Sequence, residues 1–363
     1  MPRPARVVVA DGKMTADEAY GLACQGTALL WRGDFQEARQ MLTAMGKRAD
    51  RRQRRSRRGR RGSESGSQVD PAEAFHLYRQ ARAQRARTLN ALLVPLEPDF
   101  SIPLRRAPDI RRACVDAFGP ATTSSVTPLR ALLGAIAAHE WRAKGIEIPE
   151  AGGRIHPHFG VFAPIRREYV DLVSMTPLPA ACGAASTAFD IGTGTGVLSA
   201  VLARRGIERV VATDLDPRAL ACARENVERL GLAGRIDVVQ ADLFPEGRAV
   251  LVVCNPPWIP ARPSSSMESG VYDPDSRMLR GFLAKLPEHL EPGGEGWLII
   301  SDLAERLGLR TREQLLAEFE SAELQVAGRN DVAPRHPRAA DEADPLHVAR
   351  AAEITSLWRL VPR

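Results

Sequence analysis

An α/β fold, a mostly parallel sheet covered by helices on both faces behind a mainly α-helical N-terminal region, is predicted by three features of this sequence. From about Ala188 strand-like and helix-like stretches alternate. A glycine loop, Gly192-Thr193-Gly194-Thr195-Gly196, separates the first strand of that series from its first helix. Polar residues, Asp190, Asp214, Asp242 and Asn255, stand at or near the ends of successive strands. The 363 residues allow two domains, and 44% hydrophobic residues can fill a full-sized core.

In chain order, Thr15-Ala16-Asp17-Glu18 has the form of a capping box and opens a helix expected to reach Trp31. Gly33 breaks it, and Asp34 caps a second helix to about Met45, so residues 1–46 are expected to form a helical hairpin. The run KRADRRQRRSRRGRR (47–61) and the following GSESGSQ are too charged and too poor in apolar residues to pack, and 47–69 is expected as a basic disordered linker. Asp70-Pro71 then places a capping residue before a proline at the first helical position, for a helix to about Leu93. Leu129, Leu132, Leu133 and Ile136 keep helical spacing from Thr127-Pro128 to Gly145, so 70–150 reads as a helical substrate-recognition region. Residues 151–363 make the α/β domain. Its strands are expected at 188–191, 209–213, 236–240, 249–254 and 297–301, with helices at 197–205, 216–231 and 276–290 and two late strands at 324–328 and 354–361.

The net charge of +6 is local in origin. Residues 47–61 carry a local charge of +9, which leaves the rest of the chain net −3. An argument for nucleic-acid binding therefore rests on that run and not on the folded body. No apolar run approaches the roughly 18 to 20 residues of a membrane span, and the N-terminus lacks the apolar stretch of a secretion signal, so a cytoplasmic protein without membrane contact is expected. The five cysteines are scattered and never form C-x-x-C, which points away from disulfides and zinc knuckles. His156-Pro157-His158 has no carboxylate or cysteine close by in sequence and reads as a loop, so no metal site is expected.

A glycine loop between strand and helix lets a ligand approach backbone N–H groups at the positive end of a helix. By itself G-x-G-x-G suits a dinucleotide, another adenosine-bearing cofactor or a tight turn. Asp214, at the end of the second strand, can accept both hydroxyls of a ribose. Asp190 and Asp242 would then crowd the phosphates of a dinucleotide, whereas around a sulfonium cation, a ribose and an adenine amine three carboxylates are reasonable. That charge count selects S-adenosylmethionine, with Asp190, Gly192, Thr193, Gly194, Gly196, Asp214, Asp242 and Asn255 as cofactor-binding candidates. Asn255-Pro256-Pro257-Trp258 follows the apolar run 249–254. A planar nitrogen has a delocalised lone pair and attacks a methyl group poorly. Asn255 Oδ1 and the Pro256 carbonyl can each accept one hydrogen bond from an NH2 group and aim its lone pair, while Trp258 offers a flat face. Asn255, Pro256 and Trp258 are the catalytic candidates.

DIGTGTGVLS, ATDLDPRALACARENVERLGL, QADLF and NPPWIP, in this order, resemble the class I S-adenosylmethionine-dependent methyltransferases, and most closely the release-factor glutamine methyltransferase (HemK/PrmC-like) family. The resemblance covers roughly 155–300. It implies a Rossmann-like seven-stranded domain whose last strand is antiparallel, and S-adenosylmethionine as cofactor. It also implies methylation of a protein glutamine amide, with a protein such as a release factor as partner. The family's Pro-Arg-x-Glu-Thr-Glu stands here as Pro164-Ile165-Arg166-Arg167-Glu168-Tyr169, and its usual tyrosine as Trp258. The alternative is N6-methylation of adenine in ribosomal or other nucleic acid, with the run 47–61 contacting RNA phosphates. A non-catalytic binding module predicts a damaged glycine loop or a missing asparagine, and neither is seen. A dehydrogenase needs a crevice compatible with phosphate, which Asp190 and Asp242 oppose.

Overall fold

The computed structural model describes residues 4, 6–63, 70–120, 122–263, 268, 270–335 and 339–363. The chain divides into two compact units, Met1–Glu140 and Trp141–Arg363.

The first unit contains β1 (Arg6–Ala10), α1 (Ala16–Cys24), β2 (Thr27–Trp31), α2 (Phe35–Ser63), α3 (Pro71–Asn90), β3 (Leu92–Leu96), α4 (Arg111–Phe118), β4 (Ser125–Pro128) and the start of α5 (Leu129–Lys144). The helix starts are the ones the sequence predicts: Thr15 Oγ1 accepts from the Glu18 N–H at 3.2 Å, Asp34 Oδ1 from Gln36 at 2.8 Å and Asp70 Oδ1 from Ala72 at 3.2 Å. Three expectations need correction. Residues 1–46 are not a helical hairpin, because Gly26 (φ 84°) ends α1 early and Thr27–Trp31 runs on as a strand. That apolar stretch pairs in parallel with β1 on one side and β3 on the other, so its backbone and side chains are satisfied together. Residues 47–63 are not disordered but continue α2, while 64–69 lie outside the described residues. Arginine and glutamine are good helix formers, Phe35, Ala38, Met41 and Met45 anchor the start of α2 in the core, and Arg85 Nε reaches Asp50 Oδ1 at 2.7 Å from α3. Residues 70–150 are helical in part only, since β3 and β4 complete a four-stranded sheet in the order β1-β2-β3-β4.

The second unit opens with a hairpin, β5 (Ile146–Ile148) and β6 (Gly153–Ile155), and α6 (Glu168–Met175). The alternating series follows: β7 (Thr187–Ile191), α7 (Val197–Arg204), β8 (Arg209–Asp214), α8 (Pro217–Arg229), β9 (Ile236–Gln240), β10 (Ala249–Cys254), α9 (Arg277–His289) and β11 (Leu290–Ser301). It closes with α10 (Leu303–Arg306), α11 (Arg312–Ser321), β12 (Leu324–Val332), α12 (His347–Ala351) and β13 (Thr355–Pro362). The seven strands β7 to β13 lie in the order β12-β13-β11-β10-β7-β8-β9, and β13 alone runs against the others. This is the predicted seven-stranded, mostly parallel sheet. Side chains alternate between two cores: Val170, Leu202 and Trp297 pack on one face, Phe282, Leu298 and Phe319 on the other. β10 is buried along its whole length between β7 and β11, which is why its sequence is an unbroken apolar run.

From β7 the chain builds outward to β8 and β9 on one side, then returns to add β10 and β11 on the other. The crevice of an open α/β sheet lies at such a reversal, outside the carboxyl ends of the two strands that flank it, here β7 and β10.

Candidate active site

Register brings the predicted residues to one edge. Cys254 pairs with Ile191, Ile191 with Thr213, and Asp214 with Gln240, so Asn255, Gly192, Asp214 and Ala241 leave their strands side by side. The glycine loop needs its glycines. Gly192 (φ 72°), Gly194 (φ 56°) and Gly196 (φ 80°) occupy the left-handed region, and a Cβ on Gly192 would collide with the Met278 methyl. Thr193 N–H donates to the Thr213 carbonyl at 2.8 Å, tying the loop to β8.

Asp214 is half-buried, and its two oxygens accept from the Gly194 N–H at 3.0 Å and the Asp216 N–H at 2.9 Å. Each oxygen keeps further acceptor capacity. Burial raises its carboxyl above the ordinary range, against the lowering effect of those two N–H groups.

Asp190 is placed differently from the expectation. It lies inside β7, opposite Val253 and Ala212, instead of beyond the strand end, and is 1% exposed. Its Oδ2 accepts from Thr193 Oγ1 at 2.7 Å, Ser199 Oγ at 2.6 Å and the Ser199 N–H at 3.0 Å. Asp190 thus staples the loop to the start of α7. Burial raises its carboxyl, and the Asp214 charge pushes the same way, against the bonds from Ser199 and Thr193. Asp242 is exposed and stands 3.4 Å from Arg277 Nη2.

In the NPPW stretch Asn255 is half-buried and Pro256 buried. Trp258 Nε1 donates to Asn255 Oδ1 at 2.9 Å, and the Arg166 guanidinium carbon lies 5.3 Å from the centre of the Trp258 ring. Arg166 is itself held by Glu353 (3.2 and 2.8 Å), which is 1% exposed and also accepts from Ser301 Oγ at 2.7 Å. The chain then folds back, with Ile259 bridged to Tyr272 and the Asp273 N–H donating to the Ile259 carbonyl at 2.9 Å. Asp273 Oδ1 and Oδ2 accept from the N–H groups of Met278 (3.0 Å) and Leu279 (3.1 Å) at the start of α9, so it caps that helix.

Sequence reasoning missed Ser199, Asn226 and the Arg166–Glu353 pair. Asn226 is 1% exposed; its Nδ2 donates to the Thr195 carbonyl (3.0 Å) and its Oδ1 accepts from the His156 N–H (2.7 Å), joining the glycine loop to the segment before α6. An asparagine beside Ala223 and Val227 on the apolar face of α8 was the signal. Nothing local marks Glu353 as the partner of a residue so far back in the chain. His156 Nδ1 lies 2.6 Å from the Arg142 carbonyl and His158 Nε2 2.6 Å from Glu225 Oε2, and among the described residues no group of three or more His, Cys, Asp or Glu is placed to hold a metal ion. All five cysteines are free.

By its sheet order, the second unit has the fold of the class I S-adenosylmethionine-dependent methyltransferases. Residues 153–329 match the family described as the methyltransferase small domain. A ribosomal protein L11 methyltransferase of Pelotomaculum thermopropionicum is 54% identical over 71 residues, 19% of this chain and 23% of its own. A release factor glutamine methyltransferase of Cereibacter sphaeroides is 32% identical over 167 residues, 40% of this chain and 59% of its own. The chain thus spans less than two thirds of either curated relative. A solved S-adenosylmethionine-dependent methyltransferase of Geobacter sulfurreducens, in complex with S-adenosyl-L-homocysteine, is 18% identical; the match covers 60% of this chain and 99% of that one, with a TM-score of 0.37. No helix among the described residues is long and apolar enough to cross a membrane.

Proposed function

We propose that the chain is an S-adenosylmethionine-dependent N-methyltransferase acting on a planar nitrogen, with a protein glutamine amide as the acceptor. The observation that carries this reading is the adjacency of Asn255 and Gly192 at the reversal of strand order.

The residues present fit the cofactor. Gly192 to Gly196 turn through left-handed backbone, with open space where a Cβ on Gly194 would stand, next to the half-buried Asp214 carboxylate with acceptor capacity to spare. Asp214 would hold the ribose and Asp242 the adenine amine, while Asp190 shapes the loop from beneath. When bound, S-adenosylmethionine supplies an electrophilic methyl group. The remaining work falls to this chain. Asn255 Oδ1 and the Pro256 carbonyl accept the two N–H bonds of the acceptor amide and fix its plane. Because both acceptors gain strength as positive charge develops on the nitrogen, they favour the transition state over the ground state.

Glutamine is favoured over adenine by charge. The carboxylates of Asp214 and Asp273 belong to this edge, Asp190 lies buried within β7, and the cation over the NPPW stretch, Arg166, is neutralised by Glu353. Phosphates close to the reacting base would meet a field of their own sign. The names of the two relatives agree with a protein acceptor. The arginine run on α2 supports a separate reading, contact with RNA phosphates in a ribonucleoprotein partner. Labelled methyl transfer into cell extract, treated in parallel with protease and ribonuclease, tests the acceptor: label lost only to protease is expected, and label lost only to ribonuclease would replace glutamine by adenine.

A further inference from the structure

An aromatic residue after Asn-Pro-Pro is expected to offer its ring to the acceptor, yet the surroundings of Trp258 commit it elsewhere. Its N–H is bonded to Asn255 Oδ1 at 2.9 Å. The Arg166 guanidinium lies over its ring at 5.3 Å, and Arg166 is fixed by a carboxylate that is 1% exposed. The ring also packs against both hydrophobic cores of the second unit, so its body serves the fold.

We infer that Trp258 is a positioning residue for Asn255 instead of a stacking surface for the acceptor; this deepens the reading given above and rests on it. The indole N–H occupies one acceptor position of Asn255 Oδ1 and leaves the other for the acceptor amide. It also decides which end of the Asn255 side chain carries the oxygen, since an indole can only donate. A flipped Asn255 would present its NH2 to the acceptor NH2, donor to donor, and the hold would be lost. Glu353, Arg166, Trp258 and Asn255 therefore form a relay of fixed orientations from a buried anion to the reacting nitrogen. A nucleobase gains much of its affinity from an open aromatic face, and this ring carries a guanidinium over one of its two faces. A carboxamide requires only the two carbonyl-type acceptors.

The test uses the full chain and two readouts. In 1H–15N spectra the indole resonance absent from Trp258→Phe belongs to Trp258. In Asn255→Ala that resonance is expected to move upfield and its exchange with solvent to accelerate roughly tenfold or more, as for a donor released to water. In the second readout, initial rates of labelled methyl transfer are measured over a range of ribonuclease-treated extract protein. Trp258→Phe keeps a ring for stacking and loses the donor, together with part of the indole's packing against the two cores. It should lower the maximal rate by about tenfold or more, with the half-saturating extract concentration and S-adenosylmethionine affinity within about twofold of wild type. A full maximal rate in Trp258→Phe, or an indole resonance indifferent to Asn255→Ala, overturns the positioning role. Transfer by wild type into ribonuclease-sensitive material overturns the glutamine reading given above. Absence of transfer by wild type into either fraction overturns the methyltransferase reading instead, and the indole resonance still decides the role of Trp258.

Discussion

In the proposed function Asn255 holds the acceptor and Asp214 the cofactor, and separate measurements tell the two roles apart. Asn255→Ala should lower the methyl-transfer rate by about 100-fold or more, the scale of losing one transition-state hydrogen-bonding group, while calorimetry finds S-adenosylmethionine still bound. Asp214→Asn should instead weaken cofactor binding by roughly 10- to 100-fold, corresponding to charge-assisted hydrogen bonds of about 1.5–3 kcal/mol. A third residue makes a stability prediction. Arg310 is 9% exposed, and its Nε and Nη2 find no hydrogen-bond partner among the described residues. Burial lowers its pKa, with Glu305 and Asp273 acting in the opposite direction. A guanidinium held this way is costly, so Arg310→Met should raise thermal stability by about 1 kcal/mol or more, read from the denaturation midpoint.

Among the elements, α8 clasps the segment before α6 through Glu225 as well as Asn226. Glu225 accepts from Arg142 Nη2 (2.7 Å) and Arg229 Nη2 (2.7 Å), and its Oε2 lies 2.6 Å from His158 Nε2. Burial acts against the charged form, but the bonds from Arg229, His158 and Arg142 outweigh it and bring the carboxyl down from 4.5 to about 2. A carboxyl depressed on folding contributes stability above its unfolded pKa and loses it as pH falls from 4.5 towards about 2. Glu225→Gln should therefore cost stability at pH 6 and progressively less towards pH 3, as melting temperatures will show. On α2 the prediction concerns salt. Replacing the arginines at 51, 52 and 54 by glutamine should weaken binding to single-stranded RNA and flatten its salt dependence by about 0.7 in slope for each phosphate no longer neutralised, measured by fluorescence anisotropy. Methyl transfer into isolated protein acceptor should be unaffected by that change.

For the molecule as a whole, every cofactor-binding candidate lies in the second unit. A fragment from Leu129 onward, which keeps α5 whole, should bind S-adenosylmethionine with the affinity of the full chain. Transfer into extract protein should drop in that fragment if the first unit recognises the macromolecule, and should be unchanged if the second unit does. The sequence by itself determined the second unit: the βα alternation, the glycine loop and the strand-end carboxylates are local patterns whose spacing follows from the geometry of one strand, one turn and one helix. Cofactor class and the row Asn255, Gly192 and Asp214 were legible for that reason. The first unit was not, because Arg6–Ala10, Thr27–Trp31 and Leu92–Leu96 are short apolar runs whose strand character depends on partners far along the chain. The burial of Asp190 within β7 and the hold of Glu353 on Arg166 likewise exist only once the sheet has assembled. Tertiary structure also decided what Trp258 touches, since a side chain's neighbours are set by packing across elements and not by the residues on either side of it.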